Sequence, residues 1–414
     1  MSSLIDLVDT IHLDRRIDKE IIFAGVEAGI VTAVRKQYGE EAEIVVNIDR
    51  KTGEISGTRD GIPLVHEEIV ERIGAQSAKQ VIIQKIREAE CDALYHEYYP
   101  RIGQLLSGEV IKNDRGTTIV SLPHTGGTTR GEKDKIEAIL PRGEKIPGEE
   151  YRIKTIVRAL IVDVKKDGTR VKVIISRTRP LLVQRLFEQE IPDIADGIVE
   201  IKEVAREPGH RTKIAVYSTD LRVDCVGACI GVRGSRIKNI TEELNERIDV
   251  VPWDQDMQIF IPNALKPAEV EEVILCTMLG RAVVLVKQDQ RSLAIGRRGQ
   301  NVRLATKLCG WDIEIMTREE LEGMLEKALV KYAEVDGITP ELADRLVGEG
   351  FLNFGDLSII EPIDLMQIGE LTEEQAAHII DQVEVLAEEE ELAEAENPRE
   401  AVSEEGRDEE EGDE

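Results

Sequence analysis

Ile230-Gly231-Val232-Arg233-Gly234-Ser235-Arg236-Ile237 and Ile295-Gly296-Arg297-Arg298-Gly299-Gln300-Asn301-Val302 are the stretches on which the fold is read. One Gly-x-x-Gly carries little weight, since about two or three arise by chance in a chain of this length and glycine content. Here the two motifs agree beyond their glycines. The offset of 65 residues that aligns them also pairs Cys229 with Ala294, Ile240 with Ala305, Ile248 with Ile313 and Val250 with Ile315. A register held over roughly twenty residues marks a tandem repeat of a small domain.

Outward from each turn, hydrophobic periodicity supplies the rest of the unit. In the first, a helix at Leu181 to Glu190 precedes strands at Ile198 to Ala205 and Thr212 to Tyr217. A short helix then leads into the glycine turn, a second helix runs to about Glu246, and a strand follows at Ile248 to Trp253. The second unit repeats this order: a helix from Pro267, strands at Val273 to Met278 and Arg281 to Lys287, a helix from Gln290, the turn, a helix to Leu308, and a strand at Asp312 to Met316. The order α-β-β-α-α-β is that of a bacterial-type (type II) KH domain, so residues 181–265 and 266–330 are expected to form two of them.

The residues of the turn suit RNA. Gly231, Gly234, Gly296 and Gly299 let a nucleic-acid backbone approach the main chain, and the helix that follows offers its first amides to phosphate. Val232, Arg233, Arg236, Lys238, Arg297, Arg298, Asn301 and Arg303 complete the candidate contacts. Cys225 to Thr241 and Arg291 to Trp311 contain several basic residues and no acid. The competing reading is a helix-helix turn that needs small residues only for packing; two such turns in register with basic flanks favour the clamp.

The net charge of −29 argues against nucleic acid only when taken whole. Residues 101–180 carry 17 basic and 10 acidic side chains, whereas residues 331–414 carry 4 and 28. Basic and acidic surfaces are therefore segregated. The length of 414 residues allows roughly three to five domains, and 3% aromatic content means aliphatic cores. Met1 to Ile11 carries Asp6 and Asp9 and reads as no export signal, and no apolar run approaches membrane-spanning length. Five scattered cysteines, Cys91, Cys225, Cys229, Cys276 and Cys309, suit reduced thiols in the cytoplasm. Cys225 and Cys229 lack the second ligand pair that zinc needs, so no metal is expected.

Residues 1–100 read as a compact α/β module. Ile22, Val26, Ile30 and Ala33 recur at helical spacing, Ala42 to Ile48 and Glu54 to Thr58 form a hairpin, and a long helix from Ala75 to about Tyr98 places Ile82, Ile86, Ala89 and Ala93 on one face. Residues 101–180 change to five short strands: Leu105 to Ile111, Thr117 to Leu122, Glu137 to Leu140, Tyr151 to Val164 and Arg170 to Ser176. With their basic excess they suggest an OB-type β barrel. Tyr151 is its only aromatic, so backbone electrostatics should outweigh base stacking; the candidates are Lys112, Arg115, Arg130, Arg142, Lys154 and Arg158. The loop Gly126 to Lys133 has Glu132 where a phosphate-binding loop needs lysine, and is read as an insertion. Residues 331–387 read as short capped helices, Ile338 to Val347, Gly350 to Leu357 and Leu371 to Val385, resembling acidic helix-hairpin-helix units. Residues 388–414 read as a disordered acidic tail.

An S-one-type barrel followed by two KH domains resembles the NusA family of bacterial transcription elongation, termination and antitermination factors. Runs that carry the resemblance are Ala75 to Glu90, Ser176 to Leu182, Glu207 to Val216, Val226 to Gly234 and Leu293 to Ala305. It implies an N-terminal domain docked on RNA polymerase near the RNA exit channel, and a barrel and KH pair holding nascent single-stranded RNA. Gly53 to Gly74 is shorter than is usual in the family, and Pro123 to Arg142 is an unusual barrel insertion. The expectation is a multidomain α+β, monomeric, cytoplasmic binding protein with no cofactor and no catalytic residue, its partners being RNA polymerase, RNA and other elongation factors. An RNA-processing nuclease and a ribosome-associated KH protein are the alternatives.

Overall fold

The computed structural model describes residues 4–15, 18–38, 43–63, 75–114, 116–122, 136–168, 170–220 and 222–396. Two compact units meet in sequence at Leu186 and Phe187. Arg115, Arg130, the loop at 126–133, most of the Pro123 to Arg142 insertion, residues 64–74 of the shortened segment, and the tail from 397 lie outside the described residues.

The first unit begins with helices α1 (Leu4–Arg15) and α2 (Lys19–Tyr38), then an antiparallel sheet of β1 (Ile44–Ile48), β2 (Ile55–Arg59) and β3 (Ile62–Pro63). Val8, Ile22, Phe23, Val26, Ile30 and Val34 pack on Ile44, Val46 and Ile48, the alternate residues of β1. Helix α3 (Ala75–Tyr98) runs as far as its sequence indicates, but its buried face departs from the expected stripe. Ala89 is buried and Ile86 half-buried, whereas Ala93 is exposed. After Ala89 the helix leaves the N-terminal core, and Leu94, Tyr95 and Tyr98 join the core of the next module. One helix serving two cores has to change face along its length.

That next module is a closed barrel of β4 (Leu105–Asp114), β5 (Thr117–Leu122), β6 (Ile136–Leu140), β7 (Ile156–Asp167) and β8 (Arg170–Ser176), in the order β4-β5-β6-β8-β7. Val110, Val120, Ala138, Leu140, Ile161 and Val173 fill it. The strand expected from Tyr151 starts only at Ile156, because Tyr151 is an anchor. Its ring is in the core, its hydroxyl donates to Glu149 (2.6 Å) and accepts from the Ile146 amide, and the chain turns at Lys154 with φ 73°.

Helix α4 (Pro180–Glu190) leads to the repeated units of the second half. The first has α5 (Pro192–Ala195), β9 (Val199–Glu207), β10 (Arg211–Ser218), α6 (Cys225–Ile230), α7 (Ser235–Leu244) and β11 (Arg247–Pro252). The second has α8 (Met257–Leu265), β12 (Val270–Cys276), β13 (Arg281–Val286), α9 (Gln288–Ile295), α10 (Gln300–Cys309) and β14 (Asp312–Met316). Each sheet pairs its central strand antiparallel to the strand before it and parallel to the last one. The helix expected from Pro267 lies earlier. Asp256 caps it by accepting from the Gln258 amide, and Pro267 follows its end, so the proline closes this helix rather than opening it. Residues 257–265, assigned from sequence to the first unit, thus supply the first helix of the second. The two units share one core, in which Ala205, Ala215 and Val251 meet Phe260, Ile261, Leu265, Val284 and Leu304.

Helix α11 (Arg318–Tyr332) opens with a Thr317–Glu320 capping box and leads into α12 (Pro340–Gly348), α13 (Phe354–Ser358), α14 (Pro362–Gly369) and α15 (Glu373–Glu396) around Tyr332, Leu346, Phe351, Leu357 and Val383. Gly350, at φ 96°, is a turn rather than a helix start, and Asn353 caps α13 instead. Helix α14 was not expected. Residues 388–396, expected to be disordered, continue α15. Arg281 of β13 fastens this helical region to the second sheet through both oxygens of the buried Asp356 carboxylate, at 2.9 Å each.

Candidate nucleic-acid interface

The two glycine turns are built alike from their caps upward. Asp224 accepts from the Gly227 amide (2.9 Å) to start α6, which ends at Gly231 with φ 74° and ψ 175°. Its counterpart α9 ends at Gly296 with φ 76° and ψ 169°. Only glycine occupies that region readily. Arg233 and Arg298 both lie at φ 54°, and Gly234 and Gly299 follow in the left-handed region at φ 77° and 68°. In each turn the fourth residue's amide closes on the first residue's carbonyl, Gly234 to Gly231 at 3.1 Å and Gly299 to Gly296 at 3.0 Å.

This geometry leaves two kinds of donor facing outward. Among the described residues neither α7 nor α10 has a side-chain cap; the Ser235 and Gln300 amides close on the Val232 and Arg297 carbonyls, which leaves the later amides of the first turn as the donors an anion could meet. Arg233, Arg297 and Arg298 are exposed and carry no ion pair among the described residues. Val232 beside them is 83% exposed, and Lys238 is exposed, with Glu242 at 3.6 Å.

Three other expected contacts are engaged within the protein. Asn301 is 1% exposed and donates from Nδ2 to the carbonyls of Leu265 (2.9 Å) and Ala294 (3.0 Å), so its side chain cannot touch a ligand; the expectation is corrected. Arg236 pairs with Asp193 at 2.6 Å and donates to the Ala228 carbonyl. Arg303 pairs with Glu207 at 2.6 Å, and Gln300 donates to the same carboxylate. Arg303's hydrogen bond holds the Glu207 carboxyl below its ordinary range. The patches that are acid-free in sequence therefore are not acid-free in space. Asp193 and Glu207 come from 43 and 96 residues away, and no local window of sequence could have shown them.

On the barrel, Lys112 is exposed beside Asp114 (3.0 Å), Lys154 and Arg142 are exposed, and Arg158 is half-buried. Cys229 is buried and Cys225 half-buried, and among the described residues no group of His, Cys, Asp or Glu is arranged to hold a metal. Among those residues no helix is long and apolar enough to cross a membrane.

Two α-β-β-α-α-β units with matching glycine turns define a tandem KH protein. The chain matches the NusA-like first KH domain over residues 177–253, the NusA-like second KH domain over 257–323 and the NusA N-terminal domain over 3–70. It is 36% identical to the transcription termination/antitermination protein NusA of Rickettsia conorii over 77% of this chain and 68% of that one. Against the protein of the same name from Bacillus subtilis it is 35% identical, over 83% of this chain and 99% of the other. The Halalkalibacterium halodurans protein gives 35% over 83% and 96%. The chain belongs to the NusA family.

Proposed function

We propose that the chain is an RNA-binding transcription factor without enzymatic activity, which binds RNA polymerase and nascent RNA and modulates pausing, termination and antitermination in the cytoplasm. Family membership supports the polymerase and RNA assignments. One observation carries the RNA reading: two turns of the same backbone geometry, each followed by a helix without a side-chain cap and flanked by Arg233 or by Arg297 and Arg298, which carry no ion pair among the described residues. Backbone amides and guanidinium groups close together in the chain suit holding a phosphate and supply no group that would cleave it.

The N-terminal α/β module is then the polymerase-docking part. The five-stranded barrel, whose order supports an OB type, adds Lys112, Lys154 and Arg158 as backbone contacts. The short helices of this region support a helix-hairpin-helix reading, but Glu341, Asp344, Glu361 and Glu373 repel phosphate, which favours a protein partner such as polymerase or another elongation factor. The acting species is a monomer.

Replacing both Arg233 and Arg298 by Asp is expected to weaken binding of a labelled single-stranded RNA by about a hundredfold and to flatten its salt dependence. Fluorescence anisotropy over a KCl series measures both, and unaltered binding by the double variant would overturn the assignment.

A further inference from the structure

We infer that Arg236 and Asn301 are positioning residues that hold the first glycine of each turn in place, and that Arg236 is not a phosphate contact. The inference rests on the RNA-clamp reading above and refines which residues carry it. The two positions are 65 residues apart, so they are equivalent members of the repeat despite their different chemistry.

Both side chains lie across the first glycine. A Cβ on Gly231 would come within 2.8 Å of Arg236 Cγ, and one on Gly296 within 2.7 Å of Asn301 Cβ. Both side chains tie back to the last turn of the helix that the glycine ends. Arg236 Nη1 donates to the Ala228 carbonyl at 2.7 Å, and Asn301 Nδ2 to the Ala294 carbonyl at 3.0 Å. Those carbonyls belong to the final turn, where helix geometry supplies no amide partner. Each side chain also reaches the helical segment that begins its unit: Arg236 the Asp193 carboxylate on α5 at 2.6 Å, Asn301 the Leu265 carbonyl that ends α8 at 2.9 Å.

The same three-way tie is thus made once by an ion pair and once by an amide. Asn301 Oδ1 is buried without a hydrogen-bond partner among the described residues. An orphaned acceptor is costly, so the residue's value at this position lies in its N–H donors. In the first turn Asp193 neutralises the guanidinium, so Arg236 offers an approaching phosphate little charge. Arg233 is left as the cation of the first clamp, and Arg297 and Arg298 as those of the second.

Salt dependence separates a phosphate contact from a positioning residue, because only the former releases a counterion. With the full chain and a labelled single-stranded RNA, R233Q is expected to lower the slope of log Kd against log[KCl] by about 0.7. R236Q should instead weaken binding about tenfold with the slope unchanged. R236K keeps the charge but ends one bond short of Nη1, the atom that makes both contacts, and should behave like R236Q; D193N should weaken binding in the same direction. Circular dichroism melts of each variant establish that it is folded. A slope lowered in R236Q as far as in R233Q, full affinity in R236Q or R236K, or tighter binding in D193N would each overturn the inference. If R233Q alone alters neither affinity nor slope, the phosphate reading of that arginine fails, while the R236Q and D193N results still decide the role of Arg236.

Discussion

The first and second KH units share a backbone turn to within about ten degrees yet are braced by different chemistry. In the first, Arg206 and Glu246 form a fully buried ion pair at 2.6 Å, and the same carboxylate accepts from the Gly209 amide and the Thr212 hydroxyl. Sixty-five residues after Glu246 the second unit has Trp311, packed against the shared aliphatic core. In the first, Lys213 on β10 is buried, with Asp249 at 3.6 Å; the corresponding place on β13 is Val283, also buried. The fold therefore demands a turn geometry and a filled volume at these places, and it accepts either ions or hydrocarbon to supply them.

The largest test of this contrast is Glu246→Ala, which takes its carboxylate partner from the buried Arg206 guanidinium. The expected loss is about 4 kcal/mol from the transition in which the KH pair melts, read by denaturant titration. A loss below about 1 kcal/mol would mean that the ionic brace does no more than the apolar one.

Next is the pair Gly296→Ala and Gly231→Ala. Both force a side chain into backbone geometry that disfavours it, at about 1–3 kcal/mol. Gly296 has an added obstacle, since its Cβ would lie 2.9 Å from the Asn301 backbone nitrogen, whereas a Cβ on Gly231 would meet only side-chain atoms of Arg236. Gly296→Ala should thus be the more destabilising by about 1 kcal/mol in thermal melts. Equal losses would show that the two staples yield equally.

At Lys213 the expected effect has the opposite sign. Burial pushes its ammonium from 10.5 down to about 8, with Asp249 acting against the shift. Below about pH 8 the group is charged in both states and folding carries the full cost of burying it. Between 8 and 10.5 the folded chain has shed the proton that the unfolded chain still holds, so stability rises with pH and the cost disappears. Lys213→Met should therefore stabilise the KH pair at pH 7 by about 3 kcal/mol and lose that advantage near pH 10.5. Melting temperatures across that range check it, and a pH-independent difference would point to packing alone.

Much of the architecture was legible because it rests on local periodicity. The strands Thr117–Leu122, Arg170–Ser176 and Asp312–Met316 form with the bounds that their alternation gives. Errors fall where a distant partner overrides the local pattern. Ala93 is exposed because α3 changes cores at that point, and Tyr151 leaves its strand because the barrel interior takes its ring. At the site, the glycines and the exposed Arg233, Arg297 and Arg298 could be read from the motif itself. Asn301 could not, since nothing in the motif says that one side chain of the helix turns inward.

By itself the sequence determined the repeat, its α-β-β-α-α-β order and the two glycine turns, because periodicity and glycine's access to positive φ are properties of neighbouring residues. Only the tertiary structure decided which cations of the turns are paired. Asp193 neutralises Arg236 and Glu207 neutralises Arg303 from far along the chain, and an ion pair depends on distance in space, which folding alone sets.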